Sequence, residues 1–218
     1  MRRFDAVLFD MDGVLIDSES LYTGAMEKMF RSLKISITPE ERMSLVGINM
    51  KSGTELLLSL HPELNLTYDE MANVYETSLL SALQEAESLT LISGVEQWLS
   101  TLHDAGVKLA VASSSTRKMV GYIVERFGLE RYVDFVINGD MVIESKPAPE
   151  IFLRAAENVG VSPKRCAVVE DSEAGIQAAK AAGMYCVAFA GANVHGADQS
   201  GADICVDVYT EKTLQYLL

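Results

Sequence analysis

The sequence predicts an α/β protein, a Rossmann-like core of parallel strands into which an all-helical unit is inserted. Three observations carry this. Short β-branched or apolar runs recur along the 218 residues, each followed by a segment of helical period. Between residues 18 and 90 the rhythm stops, and only helical patterns occur. It then resumes, so the core is expected over 1–17 and 91–218 and the insert over 18–90.

The first strand is expected in FDAVLFD at 4–10. In the insert, Leu21, Ala25, Met29 and Leu33 form one helical stripe, and T-P-E-E at 38–41 supplies a capping start with proline in the first turn for a second helix. Leu56, Leu57 and Leu60 mark a third; Tyr68, Met71, Ala72, Tyr75, Leu79 and Leu83 mark a fourth. Hinges are expected near Asp17–Ser20 and near 85–90. Beyond them, strands in VKLAVAS (107–113), VDFVI (133–137), RCAVVE (165–170) and YCVAFA (185–190) alternate with four helical stripes. These are Val95/Trp98/Leu99/Leu102, Met119/Val120/Ile123/Phe127, Ile151/Phe152/Ala155/Val159 and Ile176/Ala179/Ala182. Strands that are apolar throughout are those of a parallel sheet covered on both faces.

Composition removes several function classes. A net charge of -13 argues against broad binding to nucleic acid or anionic membranes, which needs clustered Lys and Arg. Arg2 and Arg3 are followed by a stretch broken by Asp5, Asp10, Asp12 and Asp17, so a signal peptide is not expected, and no apolar run reaches spanning length. Cys166, Cys186 and Cys205 lack metal or redox spacing and are expected to be small buried hydrophobes. A cytoplasmic monomer is the expectation.

In open α/β sheets, ligands gather beyond the carboxyl ends of the strands. The first strand ends in Asp10-Met11-Asp12-Gly13, the second in Ser113-Ser114-Ser115-Thr116, and a later one in Glu170-Asp171-Ser172; Lys146 lies in ESKPAPEIF between them. Four carboxylates brought together would repel, and Mg²⁺ with all-oxygen ligands is the natural remedy. With Lys146, the Ser113 hydroxyl and backbone N–H groups at a helix start, the cation would make a pocket for a phosphoryl group. Asp10, on a rigid strand tip, could attack phosphorus; Asp12, past the strand end where Gly13 lets the chain turn, could serve as general acid and base. Each residue also has a plainer reading. The D-x-D could be a solvated strand edge, Ser113 a helix cap, Lys146 loop surface, and Glu170 a structural partner rather than a ligand.

D-x-D-G-V-L-x-D-S-E at 10–19, the hydroxyl of Ser113 after an apolar strand, K-P-x-P at Lys146 and V-x-E-D-S-x-x-G from Val168 to Gly175 resemble, in order and spacing, the four motifs of the haloacid dehalogenase superfamily. The helical insert is similar to the cap of its β-phosphoglucomutase and sugar-phosphate phosphatase subgroup. The resemblance implies Asp10 as nucleophile and Asp12 as general acid/base. It further implies Ser113, Ser114 and Lys146 at the phosphoryl group, and Mg²⁺ on Asp10, Asp171 and the Asp12 carbonyl with Glu170 close by. Asp12 is absent from true dehalogenases of the superfamily, so phosphate chemistry is implied.

Hydrolysis is expected over mutase chemistry. Residues 52–107 contain no Lys or Arg, confining the cap's cations to Lys28, Arg31, Lys34, Arg42 and Lys51, few for gripping a second phosphate. Compared with the mutases, Tyr22 replaces a histidine, and Val46 and Met50 replace a lysine and an arginine. The cap loop 47–51, with Gly47, Asn49, Met50 and Lys51, is expected to face the core site and, with Tyr22, to read the leaving group. The activity expected is a Mg²⁺-dependent phosphatase of small phosphate monoesters, sugar phosphates above all. Its alternatives are a phosphosugar mutase or a pyrophosphatase of the same fold, and, from another class, a phospho-accepting receiver or an idle binding protein.

Overall fold

The computed structural model describes residues 3–45, 50–191 and 196–218, with backbone alone at 19 and 20. In chain order its strands are β1 (Ala6–Phe9), β2 (Lys108–Ala112), β3 (Phe135–Ile137), β4 (Cys166–Glu170), β5 (Tyr185–Phe189) and β6 (Ile204–Val206). Its helices are α1 (Glu19–Leu33), α2 (Pro39–Ser44), α3 (Met50–Leu60), α4 (Tyr68–Glu85), α5 (Val95–Asp104), α6 (Arg117–Arg126), α7 (Glu150–Asn158), α8 (Glu173–Ala181) and α9 (Glu211–Leu214). Two compact units form, one of Met1–Asp17 with Thr90–Leu218 and one of Ser18–Leu89.

The first unit holds a six-stranded parallel sheet in the order β3-β2-β1-β4-β5-β6. From β1 the chain steps outward through β2 and β3, then crosses to β4 on the other side of β1. The strand order therefore reverses between β1 and β4, where such sheets open a crevice at their carboxyl ends. Phe9 is in register with Val111 on one side and Val169 on the other. All four residues of β1 are buried. On one face Ala6, Leu8, Ala110, Ala112, Val168 and Ala188 meet Ile151, Phe152 and Ala155 of α7 and Ile176 and Ala179 of α8. Small side chains on the strands let the helices come close. Burying a side chain such as Phe152 contributes about 1.5–3 kcal/mol. On the C-terminal side, Tyr209 stacks on Phe189 at 4.3 Å and meets the Trp98 ring edge-on at 4.7 Å.

Among its described residues the second unit contains helices joined by loops and no strand. Ala25 and Met29 of α1, Leu57 of α3 and Met71, Tyr75, Leu79 and Leu83 of α4 are buried members of the sequence's stripes; Phe30 joins them from outside those stripes, and Tyr68, at the start of α4, is exposed. Thr38 and Thr67 each form a reciprocal capping box, with Glu41 and Glu70.

Three expectations are corrected. β6 was not anticipated: it is three residues long and follows a Gly-Ala-Asp run that reads as a turn. Its entry is held by Asp203, whose Oδ2 accepts the Cys186 N–H at 2.7 Å. Because β6 is an edge strand, Cys205 is exposed there, unlike the buried Cys166 and Cys186. Met50 and Lys51 open α3 rather than lying in a loop, because the apolar face through Gly53 and Leu57 carries the helix back to them.

Candidate active site

The carboxyl ends of β1, β2 and β4 bring the core candidates together. Asp10 follows β1 directly, and its N–H donates to the Val169 carbonyl at 3.0 Å, fixing the backbone between two strands. The chain then closes a tight turn in which the Met11 carbonyl accepts the N–H groups of Leu15 (2.8 Å) and Ile16 (3.1 Å). The buried hydroxyl of Tyr209 donates to the Val14 carbonyl at 2.9 Å. Gly13 sits in the left-handed region (φ +74°), and a Cβ there would lie 2.1 Å from Asp171 Oδ2. Only glycine satisfies both the turn and the approach of the β4 carboxylate.

Asp12 leaves the turn toward β2, where its Oδ2 accepts the Ser115 hydroxyl at 2.9 Å. Ser113 is buried, its N–H on the Ile137 carbonyl and its Oγ accepting the Ser115 N–H at 3.1 Å. It does not cap α6. The cap position belongs to Thr116, whose side chain makes no capping bond, while Asp140 accepts the Arg117 N–H at 2.8 Å from across the β3 loop. Ser114 is partly buried, and its carbonyl lies where a Cβ on Gly139 would be, 2.3 Å away.

Lys146 is the hub. Its side chain is 6 % exposed, and its ammonium donates to Asp10 Oδ1, to Glu170 Oε1 at 2.8 Å and to the Ala112 carbonyl at 3.2 Å. The Phe152 ring lies 4.9 Å beneath it. Burial works to lower the lysine's pKa, but the charges of Asp10 and Glu170 outweigh it and raise it. Both Glu170 oxygens are engaged, Oε1 by Lys146 and Oε2 by the Ser172 N–H (2.7 Å) and hydroxyl (3.0 Å). Gly175 makes room for this carboxylate, since a Cβ there would fall 1.6 Å from Oε1.

The negative charge is under-compensated. Burial, reinforced by Glu170 and Asp12 against the opposing pull of Lys146, pushes Asp10 up to about 7. Asp171 is pushed up to about 9 by burial and by the charges of Glu170 and Asp10. The four carboxylates of the sequence pattern do not form one ligand cluster: among the described residues no group of three or more His, Cys, Asp or Glu is arranged to hold a metal. Asp12 is turned to Ser115 and both Glu170 oxygens are engaged, which leaves Asp171 and the second oxygen of Asp10, whose Oδ1 meets Lys146. Two crowded carboxylates fit Mg²⁺, which takes one or two and completes its shell with water and substrate oxygen.

Three contributors have no role in the sequence reading: Ser115, the partner of Asp12; Tyr209, under the Asp12 turn; and Gln199, whose amide donates to the Asp171 carbonyl at 2.7 Å. Ser115 lies in the S-S-S-T run, so it was within reach; Tyr209 and Gln199 carry no local signal. Of the insert's candidates, Tyr22 lies on α1 and is partly buried, while Met50 (partly buried) and Lys51 (exposed) start α3. Gly47 and Asn49 lie outside the described residues.

A family model described as haloacid dehalogenase-like hydrolase matches residues 4–183. The chain is 32% identical over 187 residues to a phosphorylated carbohydrates phosphatase of Thermotoga maritima, covering 83% of this chain and 82% of that protein. It is 30% identical over 216 residues to a beta-phosphoglucomutase of Bacillus subtilis, covering 97% and 93%. The crystal structure of CbbY from Rhodobacter sphaeroides in complex with phosphate superposes with a TM-score of 0.83 at 26% identity, over 95% of this chain and 96% of that one.

Proposed function

The chain belongs to the haloacid dehalogenase-like hydrolase family, and from that premise we propose that it is a Mg²⁺-dependent phosphatase of small phosphate monoesters, sugar phosphates foremost. The observation that carries the reading is the Lys146 ammonium between Asp10 and Glu170, with Asp12 held two residues from Asp10 by Ser115.

Asp10 is the nucleophile. Its carboxylate oxygen attacks phosphorus, the P–O bond to the leaving group breaks, and Asp12 gives its proton to the departing oxygen. Asp12, now a carboxylate, takes a proton from a water that attacks the aspartyl phosphate, releasing phosphate and restoring Asp10. Lys146 and the Ser113–Ser114 turn hold the phosphoryl oxygens, while Glu170 keeps the ammonium charged and in place. Asp10, Asp171 and the Asp12 carbonyl would hold Mg²⁺, which supplies charge neutralisation for the phosphoryl oxygens when bound. The Ser18–Leu89 unit is the cap that selects the leaving group, through Tyr22, Met50, Lys51, Gly47 and Asn49.

Hydrolysis is favoured over mutase chemistry by the state of the cap's cations. Lys28 pairs with Glu85 and Arg42 with Glu27 inside the helical unit, so two of the few charges a second phosphate would need are engaged. A mutase is the second reading, resting on the 30% identical beta-phosphoglucomutase. Assaying β-glucose 1-phosphate with catalytic glucose 1,6-bisphosphate separates them: phosphate release supports the phosphatase, and isomerisation outpacing release overturns it. No helix of the described residues is long and apolar enough to cross a membrane. A cytoplasmic monomer completes the proposal.

A further inference from the structure

We propose that Glu150 and Arg154 of α7 are positioning residues that set where the Lys146 ammonium stands. The inference rests on the reading of Lys146 as the phosphate-holding group and adds residues that reading does not use. The segment leading from β3 to Lys146 has little hydrophobic hold near its end: Ile143 is 86 % exposed. The ion pair on α7 holds it instead. Glu150 Oε2 accepts the N–H groups of Ile143 at 2.9 Å and Glu144 at 2.8 Å. Its Oε1 receives Arg154 Nη2 at 2.6 Å, and Arg154 Nη1 donates to the Met141 carbonyl at 2.9 Å. One carboxylate and one guanidinium thus bind three peptide groups within the five residues preceding Lys146. The same helix places Phe152 beneath the ammonium, so α7 fixes the lysine at its backbone approach and at its tip.

Asp10, hydrogen-bonded to β4 just past the end of β1, and Glu170, the last residue of β4, are both buried, so the ammonium meets them only if its backbone arrives at the right height. A displacement of about 1 Å in a positioned group costs up to about 10²-fold. The two-acceptor geometry also makes a sharp distinction among variants. A glutamine retains an oxygen that can accept both N–H groups, whereas an alanine retains none.

The test is calorimetric binding of inorganic phosphate, with Mg²⁺ present and well below each variant's melting temperature, to the wild type, E150A, E150Q and K146A. Expected is an approximately tenfold weaker phosphate affinity for E150A, near-wild-type affinity for E150Q, and a matching fall in kcat/KM toward an aryl phosphate for E150A alone of the Glu150 pair. E150A binding phosphate as tightly as the wild type would overturn the positioning role, and so would E150Q as weak as E150A. K146A binding phosphate as tightly as the wild type would overturn the functional reading of Lys146 and this inference with it.

Discussion

Lys146 and Lys28 each meet carboxylates, in opposite surroundings. Lys146 is enclosed with Asp10 and Glu170, partners 136 and 24 residues away. Lys28 reaches Glu85 at 3.0 Å across the surface of the helical unit, with both side chains more than half exposed. Glycines divide the same way. Gly13 and Gly175 lie against Asp171 and Glu170 with no room for a methyl group, whereas Gly24 of α1 has nothing within 4 Å of the place a Cβ would take. The core unit holds charges at high electrostatic cost in fixed positions, as group transfer requires. The helical unit is an apolar bundle, with capping boxes at α2 and α4, whose ion pairs Lys28–Glu85 and Arg42–Glu27 lie toward water.

The sharpest break of this contrast is Asp10→Asn, which keeps the side chain's size and removes the proposed nucleophile. Turnover should fall by about 10³-fold or more, read as phosphate release, while any single charge removed from the helical unit leaves a large fraction of turnover on a generic ester. Next is Lys146→Ala, which strands two buried carboxylates. It should cost about 3–5 kcal/mol in denaturant unfolding, against no measurable change for Lys28→Ala. Gly175→Ala should cost about 1–3 kcal/mol by driving Glu170 off Lys146, whereas Gly24→Ala should stabilise by about 1 kcal/mol through helix propensity.

A further test varies pH. In metal-free protein Asp10 and Asp171 have folded-state pKa values above their ordinary 3.8. The folded state then holds protons the unfolded state has released. Stability is full below about pH 4 and declines as pH rises toward 7 for Asp10 and 9 for Asp171, by at most about 1.4 kcal/mol per pH unit per group. The proposed Mg²⁺ would bind the ionised forms, so the rise in Tm it brings should grow from pH 5 to pH 8. A Tm gain independent of pH would detach the metal from these carboxylates.

Legibility followed the range of the interaction. β1, β2, β4 and β5 could be read because each is a continuous apolar run, and the insert's stripes because helical period is local. β6 could not, since three residues at a sheet edge need only one buried side chain, Val206. Asp10, Asp12, Lys146 and Asp171 were visible as charges interrupting apolar runs or flanking turns. Gln199, Tyr209 and Glu150 were not, because each acts on a distant or neighbouring backbone group through one polar atom, which leaves no pattern in the sequence. The start of α3 is not marked because its apolar stripe, Leu56, Leu57 and Leu60, begins six residues after Met50, and the buried positions before it are the small Gly53 and Thr54.

The hydroxyl of Tyr209 reaches back 195 residues to the Val14 carbonyl, and this bears on when the protein becomes competent during its own synthesis. The proposed nucleophile, Asp10, leaves the ribosome long before Tyr209, so the turn behind it lacks its brace until residue 209 has been made. A nascent polypeptide stalled before residue 209 would carry every proposed catalytic group and still have a loosely seated Asp12. Tyr209, remote from the chemistry in sequence, is where translation closes the turn that carries Asp12.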